Sequence, residues 1–177
     1  LFRSDNIFYG TGLKEALQSC TSPTGGIIFA YGVQDPERYG VVEFDAHSNA
    51  ISLEEKPQNP KSNFAVPGIY FYDNEVVLIA KEIKPSPRVE LEITDVNKAY
   101  LQKQKLQVRV LDSGTAWLDT GTFSSLMQAA QFVQVLQERQ GIRIGAIEDV
   151  ALRMGYINQA QHDTFISPFI KSGYAKR

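Results

Sequence analysis

The stretch GGIIFAYGVQDP, residues 25–36, decides how this chain folds. Two glycines lead into IIFAYGV, a run rich in β-branched and aromatic side chains, and Asp35-Pro36 close it. An apolar run of this length between turn signals reads as a buried strand. Next in the chain, YGVVEF (39–44) and AISLEEKP (50–57) flank the polar, turn-forming DAHSN (45–49), which predicts a β-hairpin. FAVPGIYFYD (64–73) is a further strand, but Pro67 cannot donate to a ladder, so Pro67-Gly68 marks an edge or a bulge of the kind that flanks ligands.

Helical periodicity appears in three places. The apolar positions are Leu13, Ala16, Leu17 and Cys20; then Ile93, Val96 and Tyr100; then Phe123, Leu126, Met127, Ala130, Val133 and Leu136. Thr122 is placed to cap the third helix and Gly141 to end it. LQVRVL (106–111) alternates like a strand. The β/α alternation predicts an α/β domain, a mixed sheet with helices packed on its faces. From GAIEDVALRMGYI (145–157) onward the chain reads as short helices, so the expected division is 1–141 followed by a helical appendage, 142–177.

With 177 residues, 43% of them hydrophobic and 21% charged, the chain can bury a sizeable core. A formal charge of -2 and the absence of a long basic run leave no electrostatic footprint for nucleic acid. A single cysteine, Cys20, rules out an internal disulfide. No apolar stretch approaches the ~18 residues needed to span a bilayer, and a cytoplasmic setting is expected. The first ten residues, LFRSDNIFYG, carry apolar residues into Asp5 and Asn6, as where a sheet delivers a carboxylate to a crevice. That pattern belongs inside an α/β fold. The chain also opens on Leu1, so it is expected to be a piece of something longer.

Five segments are too polar at their ends to be core: DNIF (5–8), ERYGVVEF (37–44), LEEKP (53–57), ELEITD (90–95) and WLDTGT (117–122). Taken singly, Asp5 reads as an Asx-turn or cap, or as a metal carboxylate. Asp119 reads as a turn residue before Thr120-Gly121, or as a second metal carboxylate. Glu55 and Lys56 would face opposite sides of a strand unless it ends there, as Pro57 suggests. They fit a solvated hairpin edge as well as a binding site. Gly40 is either a turn glycine or a place where a ligand nears the backbone.

In this order the five segments resemble the sugar-nucleotide pyrophosphorylases, and within them the glucose-1-phosphate thymidylyltransferases, from Leu1 to about Tyr174. The resemblance implies a Rossmann-like nucleotidyltransferase fold. It implies that an oxygen of glucose 1-phosphate attacks the α-phosphorus of dTTP, with Mg²⁺, releasing pyrophosphate and forming dTDP-glucose. By the same resemblance Asp5 and Asp119 hold the metal. Asn6, Tyr39, Gly40, Glu55 and Val66 meet the sugar, Lys56 and Arg88 hold its phosphate, and Glu90 is an acceptor within the site. Val89 departs from the pattern, standing where glycine is expected. Relatives form homo-oligomers, tetramers among them, and the segment from about Ile142 is where an interface is expected. The family's Gly-rich triphosphate loop does not occur in this sequence. The fold is therefore expected to be incomplete at its N-terminus, with residues 1–141 forming the sugar-phosphate and metal-binding part. Two alternatives are a pyrophosphorylase for another nucleotide and a catalytically silent sugar-phosphate-binding module. Trp117 is expected to pack the pocket wall, and His47 and His162 carry no assigned role.

Overall fold

The computed structural model describes residues 5–87, 89–172 and 174. In chain order the elements are β1 (Asn6–Tyr9), α1 (Leu13–Gln18), β2 (Gly26–Gly32), β3 (Gly40–Phe44), β4 (Ala50–Glu55), β5 (Phe64–Ala65) and β6 (Tyr70–Tyr72). They continue with α2 (Val76–Glu82), α3 (Ile93–Gln102), β7 (Leu106–Val110), β8 (Ala116–Asp119), α4 (Phe123–Gln140), α5 (Ile147–Arg153) and α6 (Gln159–Ile166).

β2 is the predicted buried strand, and its side chains alternate between two cores. Ile28 and Ala30 pack with Ile79 of α2, Val96 and Tyr100 of α3, and Val42, Leu53 and Val108 of the sheet. Ile27 and Phe29 pack on the other side with Cys20, Leu111 and the α1 residues Leu13, Ala16 and Leu17. Helices therefore cover both faces, which is why the sequence here is continuously apolar rather than alternating. Along its edges β2 pairs parallel with β7 and antiparallel with β5 and β6, making the sheet mixed.

The hairpin β3–β4 forms as expected, with Gly40 opposite Glu55. The strand containing Pro67 is broken into β5 and β6. Ala65 lies opposite Tyr31 and Tyr70 opposite Ile28, so five steps along one strand match three along the other. The surplus is taken up by residues 66–69, with the Ile69 amide donating to the Pro67 carbonyl at 2.7 Å. At the other end of the order, Asp5 and Asn6 stand at the start of a described strand, β1, rather than at the end of one. Its partner β8 and the helix α2 were not anticipated from periodicity.

By contact the chain divides into two compact units, Leu1–Asp119 and Thr120–Arg177. In the second unit Thr122 caps α4 in a reciprocal box with Ser125, and Gly141 ends it at φ 64°. Farther on, His162 is 1% exposed and its Nε2 lies 2.8 Å from Asp149 Oδ1, a carboxylate shared with Arg143. Burial alone would raise the Asp149 carboxyl, but the hydrogen bonds from His162 and Arg143 outweigh it and hold it below the usual range. His162 thus ties α6 to α5.

The larger core also contains a polar stack. Tyr72 and Tyr100 lie 5.3 Å apart, nearly parallel; Tyr72 Oη donates to Asn97 Oδ1 at 2.6 Å and Tyr100 Oη to Asp73 Oδ1 at 2.7 Å. Burial pushes both phenols above their ordinary value of 10.0. A phenol that holds its proton more tightly when folded stabilises the fold fully below its unfolded value, and loses that contribution as pH rises toward the folded one. Unfolding free energy is therefore expected to fall above about pH 10. Tyr72→Phe, which strands the buried Asn97, should cost about 1–3 kcal/mol at neutral pH and make the alkaline fall shallower. Denaturant melts across pH measure both.

Candidate active site

β1 and β8 pair antiparallel with Asn6 opposite Asp119 and Phe8 opposite Trp117, which brings Asp5 and Asp119 to the same end of the two-stranded sheet. Asn6 is fixed there from several sides. Its Oδ1 accepts from Trp117 Nε1 at 2.7 Å and its Nδ2 donates to Asp5 Oδ1 at 2.9 Å. The same Nδ2 lies so close to Gly68 that a Cβ on residue 68 would stand 2.9 Å from it. The break at Pro67-Gly68 thus makes room for the side chain that orients Asp5. Trp117 is the hub of an aromatic group, with ring centroids 4.9 Å from Tyr39, 5.6 Å from Tyr31 and 6.4 Å from Phe8.

A second group adjoins through the Tyr39–Gly40 peptide. Thr94 Oγ1 donates to Glu55 Oε2 at 2.6 Å, the Val66 amide to the Gly40 carbonyl at 2.7 Å, and the Lys56 amide to the Tyr39 carbonyl at 2.9 Å. A Cβ on residue 40 would sit 3.2 Å from Glu55 Oε2 and 3.3 Å from Thr94 Oγ1, tighter than packing tolerates without movement. Glycine at this position leaves the carboxylate its space. β4 ends at Glu55, as Pro57 suggested, and the exposed Lys56 turns out of the strand with φ 44°. That conformation is disfavoured for a side-chain-bearing residue, and doubly so before proline. Strain of this kind concentrates where a side chain must be delivered to a fixed place.

Residues that were not anticipated complete the cluster. Arg38 Nη1 contacts Asp35 Oδ2 at 2.7 Å, Nη2 reaches Asp119 Oδ2 at 3.3 Å, and the guanidinium lies 5.3 Å from the centroid of the Tyr39 ring. Its Asp35 hydrogen bond, first among several causes, holds Arg38 above its ordinary value. Burial pushes the Tyr39 phenol up, against the lowering pull of Arg38. Thr94, 3% exposed at the start of α3, is the other addition. The structure therefore brings Asp5, Asn6, Asp119, Trp117, Tyr39, Gly40, Glu55, Lys56 and Val66 into one connected set. Arg88 lies outside the described residues. Glu90 is exposed in a turn whose hydrogen bonds run from the Ser86 amide to the Glu90 carbonyl and from the Val89 amide to the Ser86 carbonyl, both at 2.8 Å. Within that turn Val89 is 84% exposed at φ 61°, the conformation that glycine adopts without penalty.

Two outcomes test this geometry. Gly68→Ala displaces Asn6 from Trp117, so the emission of the chain's single tryptophan is expected to shift while far-UV circular dichroism holds; an unchanged spectrum contradicts the contact. Val89→Gly is expected to raise stability by about 0.5–1 kcal/mol in denaturant melts, because relief of the left-handed strain exceeds the entropy glycine adds to the unfolded chain.

Comparison with known proteins follows the same lines. The sequence profile described as nucleotidyl transferase matches residues 1–135. A glucose-1-phosphate thymidylyltransferase of Mycolicibacterium smegmatis is 55% identical over 170 residues, covering 96% of this chain and 59% of that relative. One from Neisseria gonorrhoeae is 48% identical over 177 residues, 99% of this chain and 62% of its own length. The chain thus spans about three fifths of these relatives. Among solved structures, a Bacillus anthracis protein crystallised with sucrose superposes with a TM-score of 0.60 at 40% identity, over 72% of this chain and 51% of that one. A UDP-glucose pyrophosphorylase in complex with UDP-glucose shares the fold at 20% identity, with a TM-score of 0.64 over 72% and 52% of the two chains. With a Rossmann-like mixed α/β sheet and the profile match across β1–β8 and into α4, the chain belongs to the nucleotidyl transferase family.

Proposed function

We propose that this chain is the sugar-phosphate-handling part of an enzyme that makes dTDP-glucose and pyrophosphate from dTTP and glucose 1-phosphate. The observation that carries the proposal is the convergence at one sheet end of Asp5, Asn6 and Asp119, with the Gly40–Glu55–Thr94 group joined to it through Tyr39. The identity to relatives of that name supports the substrates. In the proposed reaction a phosphate oxygen of the sugar attacks the α-phosphorus of dTTP, and the bond from that phosphorus to the bridging oxygen of the β-phosphate breaks.

Each residue has a part in that step. Glu55, steadied by Thr94, accepts hydrogen bonds from sugar hydroxyls, and the Gly40 backbone lets the hexose approach. Lys56 holds the sugar phosphate as a compact point charge. Asp5 and Asp119 suit Mg²⁺, which takes one or two carboxylates and completes its shell with water and phosphate oxygens. No group of three or more His, Cys, Asp or Glu side chains that could hold a metal ion is found among the described residues. Held by Asp5 and Asp119, Mg²⁺ would neutralise charge on the α-phosphate of the transferred nucleotidyl group and on the departing pyrophosphate. No helix among the described residues is long and apolar enough to cross a membrane. Cytoplasmic placement and assembly into a homo-oligomer belong to the same proposal, the latter supported by the exposed Ile147, Tyr156 and Phe165 of the second unit.

Trp117 supplies the assay. Its emission is expected to change saturably on addition of glucose 1-phosphate, and Lys56→Ala should weaken that binding by ~2 to 4 kcal/mol, roughly thirty- to a thousand-fold. Equal affinity in the variant removes Lys56 from the site. Activity is tested by joining this sequence to the N-terminal segment of the M. smegmatis relative and following pyrophosphate release. Turnover is expected with dTTP, glucose 1-phosphate and Mg²⁺ together. Turnover with UTP but not dTTP would move the proposal to another nucleotide, and sugar-phosphate binding without any turnover would favour a silent module.

A further inference from the structure

The Arg38 side chain has two unequal arms. The one to Asp35, at 2.7 Å, has the length of a charge-assisted hydrogen bond, while the one to Asp119, at 3.3 Å, is longer and weaker. Its side chain is 46% exposed, so it can swing at little packing cost, and the Tyr39 face beneath it offers a cation somewhere to rest. Asp119 is the less exposed partner, at 20%, and stands at the strand end beside Asp5. A partly buried carboxylate is stabilised in its charged form by a cation beside it.

We propose that Arg38 is a built-in placeholder for the divalent cation at Asp119. Before the metal arrives, the guanidinium neutralises Asp119. When the metal arrives, the long arm lets go, and the short arm to Asp35 and the contact with Tyr39 keep Arg38 beside the site. The freed arm then faces the anionic substrate that the metal draws in, so metal and sugar phosphate each favour binding of the other. The cost is weaker binding of metal alone, because it must displace Arg38. This rests on reading Asp5 and Asp119 as the metal's carboxylates.

The test is Mn²⁺ binding to the full 177-residue chain, followed by electron paramagnetic resonance with and without glucose 1-phosphate. Arg38→Met is expected to bind Mn²⁺ alone about two- to fivefold more tightly than the parent, the range spanned by loss of a partly exposed ion pair. It should also gain less from added glucose 1-phosphate. Arg38→Lys, which keeps a cation, should stay near the parent, and Arg109→Met should show that a lost surface charge elsewhere has little effect. Circular dichroism checks that each variant folds. Equal or weaker Mn²⁺ binding in Arg38→Met overturns the proposal, as does failure of both proteins to bind. Asp119→Asn separates the two readings. If it abolishes Mn²⁺ binding while Arg38→Met changes nothing, only the placeholder role is lost; if it binds Mn²⁺ like the parent, the metal assignment falls and the placeholder with it.

Discussion

Strand β2 must bury both of its faces and both of its edges, and most of the first unit follows from satisfying that one strand. Two apolar faces call for helices above and below, which α1 supplies on one side and α2 with α3 on the other. Two bonded edges call for β7 on one flank and the β5–β6 strand on the other. Backbone groups this deeply buried cannot be left unpaired without a cost comparable to a lost hydrogen bond each, so the neighbours are obligatory.

The candidate site grows from the place where that obligation is relaxed. Between β5 and β6 two residues more than the ladder needs are absorbed at residues 66–69. The same bend presents the Val66 amide to Gly40 and Gly68 to Asn6. Asn6 in turn is held by Trp117, whose strand is in register with its own. Sheet irregularity and site position thus meet at Gly68, where a Cβ would crowd the Asn6 amide. Lys56 and Val89 add backbone strain at two further positions, one on a strand end and one in a turn, and the strong core of β2 is what can sustain it.

Much of this was legible in the sequence, and for physical reasons. The hairpin announced itself through alternation and a polar turn, the interrupted strand through a proline that cannot donate, and α4 through a cap at each end. The carboxylates and Glu55-Lys56 stand out as polar residues at strand ends, but taken singly they fit turns and a hairpin edge as well. Only the resemblance of the ordered segments to a known family gives them roles. What escaped depends on contacts between distant residues. Thr94 meets Glu55 across 39 positions and Arg38 meets Asp119 across 81, and neither spacing leaves a local pattern. Helix α2, VVLIAKE, is too short to show a helical period of its own. It is helical because Val76 and Ile79 are drawn into the core and Asp73 accepts from the Glu75 amide at its start. His162 looked idle because its partner Asp149 lies on another helix.

The most direct measurement of the two-carboxylate site is anomalous scattering from crystals of the chain soaked with Mn²⁺ and glucose 1-phosphate. The expected result is a single strong manganese peak bound by Asp5 and Asp119, with the sugar phosphate within reach of Lys56 and the hexose against Gly40 and Glu55. Sugar phosphate bound at full occupancy with no manganese at these carboxylates, or manganese held elsewhere, would contradict it.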